Sequence, residues 1–62
     1  MTINEYEALL VHLENAGYSK EEVEDAIHTL HDEGTPVFKM HPIAAVIEIT
    51  RMIDLWRWMP ND

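Results

Sequence analysis

The stretch from Pro42 to Met59 constrains the fold most, because wound as a helix it is apolar at almost every bearing yet carries four charges. Ala45, Ile49, Met52, Trp56 and Met59 recur at alternating spacings of four and three, which is a coiled-coil-like seam, and Val46 and Ile53 widen it. Glu48, Arg51, Asp54 and Arg57 step around the opposite side at three-residue intervals with alternating sign, so neighbours are placed to pair. Ile43, Ile47, Leu55 and Trp58 share that charged side. Four charges in so short a segment argue against a membrane span. A helix apolar nearly all round must be covered from more than one direction, and the rest of the chain has little with which to do so.

What remains is two short helices. Thr2 with Glu5 and Ser19 with Glu22 each form a capping-box pattern, and Gly17 and Gly34 are natural left-handed stops. In the first helix Ile3, Tyr6, Leu9, Leu10, Leu13 and Ala16 make one apolar stripe, with Val11 off it. In the second, Val23, Ala26, Ile27 and Leu30 follow the i, i+3, i+4, i+7 rule, and Tyr18 with Val23 makes a hydrophobic staple. Pro36 prevents continuation past Gly34, and Pro42 suits the first turn of the third helix. The expectation is a mainly α domain over residues 1–62, with helices at about 3–16, 20–33 and 42–59, assembled as a helical dimer. The run Val37 to Met40 reads as a short extended segment that puts Val37 or Phe38 into the core, and Asn61 and Asp62 are expected to be loose.

A chain of 62 residues without cysteine has neither disulfides nor thiolate metal sites to support so small a core. A second subunit is the simplest source of the missing burial. The residues expected at a dimer or partner interface are therefore Ala45, Ile49, Met52, Ile53, Leu55, Trp56, Trp58 and Met59. The start, MTINEYEALL, lacks the pattern of a signal peptide. A cytoplasmic setting is expected.

The net charge of −8 is lopsided, since residues 1–35 hold nine acids and one lysine whereas residues 36–62 hold three acids and three bases. Glu21, Glu24, Asp25 and Asp32 form an acidic face on the second helix. Such a field repels phosphate backbones and makes nucleic acid a poor partner. The same face could instead imitate a nucleic acid in the groove of a basic protein, or simply keep an apolar chain dissolved. Glu24, His28 and Asp32 lie one turn apart with His31 nearby, but no distinctive zinc spacing accompanies them, so no metal is assigned. Ser19, the only serine, is used as a cap, and a chain this size has little room for a cleft that retunes carboxylates or imidazoles. No catalytic residue and no cofactor are expected.

Residues 5–40 resemble part of a winged helix-turn-helix domain. The resemblance rests on a helix, the Gly17-Tyr18-Ser19 turn, a second helix from Glu21 to Leu30, then His31-Asp32-Glu33-Gly34 and the run Val37-Phe38. It implies a small DNA-binding transcription regulator in which the third helix dimerises. DNA-binding members carry basic and polar residues on the second helix, whereas this one offers Glu21, Glu24, Asp25, His28 and Asp32. The resemblance thus implies a shape kept for protein contacts. Ala16-Gly17-Tyr18 is also similar to the turn of a three-helix ubiquitin-binding domain. The leading expectation is a non-enzymatic regulatory protein that binds another protein through acidic and apolar helical surfaces.

Overall fold

The computed structural model describes residues 1–59. Helices α1 (Ile3–Asn15), α2 (Lys20–Asp32) and α3 (Pro42–Trp58) pack around one core, and a 3₁₀ turn (Val37–Lys39) links α2 to α3. Among the described residues there is no strand. The stop at Pro60 and the looseness expected of Asn61 and Asp62 lie outside the described residues.

Both capping boxes form. Thr2 Oγ1 accepts from the Glu5 amide at 3.1 Å while the Thr2 amide donates to Glu5 Oε1 at 2.8 Å. Ser19 and Glu22 repeat the exchange at 3.1 and 3.2 Å. Each pair supplies partners for amides that a helix start leaves without any. The ends are matched as well. The Tyr18 amide donates to the Leu13 carbonyl at 2.9 Å and the Gly17 amide to that of Glu14 at 3.1 Å, with Gly17 at φ 100°. Thr35 and Gly34 do the same to Leu30 and His31, with Gly34 at φ 88°. These are two Schellman closures, and the positive φ is what glycine supplies without a Cβ clash. At α3 the cap is His41, whose Nδ1 accepts from the Ile43 amide at 3.2 Å just ahead of Pro42.

The extended segment expected at 37–40 is instead a 3₁₀ turn. An isolated strand would leave its amides without partners, whereas the turn lets Lys39 donate to the Pro36 carbonyl at 2.9 Å and Met40 to that of Val37 at 3.1 Å. The turn drives Val37 fully into the core and leaves Phe38 partly outside, edge-on to Tyr6 at 5.3 Å and tilted against His31 at 5.1 Å. The N-terminal ammonium donates to the Phe38 carbonyl and ties the front of α1 to the same turn.

The core comprises Leu9 and Leu13 of α1, Val23, Ala26, Ile27 and Leu30 of α2, Val37, and Ala45, Ile49 and Ile53 of α3. The α2 stripe is buried as its periodicity required. In α1 the stripe is shorter than its spacing suggested: Ile3, at the helix end, is 77% exposed and Ala16 faces water, while Tyr6 and Leu10 are half-buried. In α3 the buried line steps by four, Ala45–Ile49–Ile53, with Val46 and Met52 packed beside it. Replacing Ile49 with Ala should cost on the order of 2–5 kcal/mol by removing buried methyls and leaving a cavity. The same change at half-exposed Ile47 should cost far less. Chemical denaturation of both variants checks the contrast, and equal losses would contradict this core.

Candidate interaction surface

The surface that the fold leaves open is set by how α3 is seated. The line Ala45–Ile49–Ile53 continues four residues on to Arg57. There a guanidinium takes the position of an apolar side chain and meets the α1–α2 turn. Arg57 Nε donates to Glu22 Oε2 at 3.0 Å, and Nη2 donates to Glu22 Oε1 at 2.8 Å and to the Gly17 carbonyl at 3.0 Å. The guanidinium also lies over the Tyr18 ring, 4.9 Å from its centre. Tyr18 in turn donates its hydroxyl hydrogen to Asp54 Oδ1 at 2.9 Å. A bidentate carboxylate, a carbonyl and a ring face are the partners that a planar guanidinium suits and an ammonium does not.

This clamp corrects the expectation that the four α3 charges pair along their own helix. Arg57 pairs with Glu22 rather than Asp54, and Asp54 serves Tyr18. The sequence held one signal for it: Arg57 falls on the apolar line, not opposite it. The hydrogen bonds from Arg57, and after them that from the Ser19 amide, hold the Glu22 carboxyl down at about 2. Its bond to Asp54 pushes the Tyr18 hydroxyl above its ordinary value, and the Thr2 amide lowers Glu5.

The residues expected at an interface divide in two. Ala45, Ile49 and Ile53 are buried in the chain's own core and have no surface to offer, and Met52 is half-buried against them. Their burial follows from the two-helix cradle, which takes the middle of the seam. Leu55 (60% exposed) and Trp58 (85%) face outward, joined by Ile43 (66%) and Ile47 (49%), which the expected interface left out, while Trp56 (37%) and Met59 are exposed beyond the end of the buried line. Two recesses flank this outer side. One of about 630 Å³ runs between the end of α2 (Leu30, Glu33, Thr35) and Glu48, Arg51, Met52, Leu55 and Trp58 of α3. The other, about 420 Å³, lies between Ala8 and His12 of α1 and Pro42, Ile43, Val46 and Ile47.

The acidic face of α2 is solvated. Glu21, Glu24, Asp25 and Asp32 are all exposed, with Glu24 at 3.9 Å from Lys20 and Asp32 at 3.4 Å from His28. Among the described residues no group of three or more His, Asp or Glu side chains converges to hold a metal ion. Among them, too, no helix is long and apolar enough to cross a membrane.

Comparison of the chain with protein-family models, with curated proteins and with solved structures finds no match. Residue chemistry alone therefore argues for function.

A carboxyl whose pKa is lowered by folding stabilises the fold above the ordinary carboxylate range, and that stabilisation is lost as the pH falls through the folded value. For Glu22 the window runs from its ordinary 4.5 down to about 2. Glu22→Gln should lower the Tm at pH 7, and the gap to wild type should narrow steadily through that window. Thermal melts of both proteins across the pH series check it, and a gap independent of pH would contradict the clamp.

Proposed function

We propose that this chain is a non-enzymatic, cytoplasmic regulatory module for which the outer side of α3 is the protein-binding surface. The observation that supports the reading is where apolar surface remains. Ile43, Ile47, Leu55, Trp56, Trp58 and Met59, most of the large apolar side chains left exposed, belong to α3 and its cap. Full burial of a large apolar side chain is worth about 1.5–3 kcal/mol, and each of these forgoes a share of it set by its exposure. Clustered exposure of that kind, with tryptophan and methionine prominent, is characteristic of contact surfaces rather than of inert ones. The acids of α1 and α2 then act on approach, attracting basic partners and turning away polyanions. The reading assigns no catalytic residue and no cofactor.

Two expected outcomes test it. A partner retained from native lysate by the immobilised wild-type chain should be lost to a variant carrying Ile47→Ser and Trp58→Ser, with the circular dichroism of the two chains superimposable. Equal retention would remove the outer side of α3 from the reading. Random duplex DNA should not bind at physiological ionic strength. A submicromolar affinity with a steep negative salt slope would favour instead the DNA-binding regulator that the winged-helix resemblance implies.

A further inference from the structure

We infer that the occupant of the outer α3 surface is a second copy of this chain, crossing antiparallel about a two-fold axis level with the Ile49–Thr50 peptide. The inference rests on the protein-binding reading of that surface and names the partner. Once the inner line is taken by the core, a second line of alternating four and three spacing remains on α3: Ala44, Glu48, Arg51, Leu55 and Trp58. Leu55 and Trp58 are the more exposed part of it, Arg51 is exposed, and Ala44 and Glu48 are half-buried. A repeat of that kind is what a facing helix reads.

Charge decides which helix can face it. A second copy carries −8, and the acids of α1 and α2 turn it away from those helices. The span of α3 holds two acids and two bases and is neutral. Of these four, Asp54 and Arg57 are held by Tyr18 and Glu22, whereas among the described residues neither Glu48 nor Arg51 forms an ion pair. The two open charges are opposite in sign and adjacent on the seam. An antiparallel two-fold between them sets each Glu48 against the partner copy's Arg51, giving two identical cross-pairs. The same axis sets small Ala44 against Leu55 of the other copy, so a short side chain meets a long one on both sides. It also lays Trp58 over the start of the other α3. Ile47, half-exposed, is then enclosed beside the axis. One register thus matches charge, size and apolar surface together.

Charge exchange tests the crossing without disturbing the core. Light scattering coupled to size exclusion should give twice the 7.2 kDa chain mass at tens of micromolar. Glu48→Arg alone sets arginine against arginine, and Arg51→Glu alone sets glutamate against glutamate, so each should weaken self-association by roughly tenfold or more. Mixing the two variants should restore the dimer, because every pair in the mixed species is again opposite in sign. Circular dichroism of each variant shows whether the single chain keeps its helices. A wild-type chain that stays monomeric and folded at millimolar concentration overturns the inference, while the lysate comparison above still decides the broader reading. A wild-type dimer that ignores both single exchanges, or variants that do not rescue one another, overturns this crossing.

Discussion

One helix carries more apolar surface than two shorter ones can cover. α1 and α2 have thirteen residues each and α3 seventeen. At the rise of an α-helix those are lengths of about 20 and 26 Å. Each short helix contributes one stripe, and together they enclose a single line of α3, Ala45–Ile49–Ile53. Everything else follows from that shortfall: the narrow core, the turn that brings in Val37 to complete it, and the apolar residues left facing water.

The clamp at the end of that line fixes which side is enclosed. A helix apolar nearly all round could rotate about its own axis at little cost, since one aliphatic residue replaces another. Arg57 removes that freedom, because only one rotation brings its guanidinium onto Glu22, the Gly17 carbonyl and the Tyr18 ring at once. Glu22 is held from the other side by its own capping box with Ser19. The residue that starts α2 thereby also positions α3, and the outer line is defined by the same contacts that define the inner one. An exposed pair of this type adds modest stability. Its role here is orientation.

The helices were legible in the sequence because their ends are written in local chemistry. Thr2-Glu5, Ser19-Glu22, Gly17 and Gly34 act within a few residues of themselves, and periodicity marks the stretches between them. The α2 stripe was legible for the same reason. Three features were not. The segment after Pro36 reads as extended from its residues, but whether a strand exists depends on a neighbour to bond with, and the fold provides none. α3 reads as offering eight residues to an interface, yet burial in the chain's own core claims Ala45, Ile49 and Ile53. Arg57 reads as one step of an outward charge ladder, because spacing along a single helix does not reveal what stands across from it. Long-range partners, not local rules, decided all three.

The division of α3 into a covered line and an open one is the central claim, and methyl NMR with a soluble paramagnetic probe measures it most directly. In a dilute sample, where the chain is single, the Ile49 and Ile53 methyls should be unreachable by the probe, while those of Ile43, Ile47 and Leu55 should be strongly broadened. If the probe reaches Ile49 in the folded single chain, or if Ile47 and Leu55 are already shielded there, α3 is seated on a different side and the account is wrong.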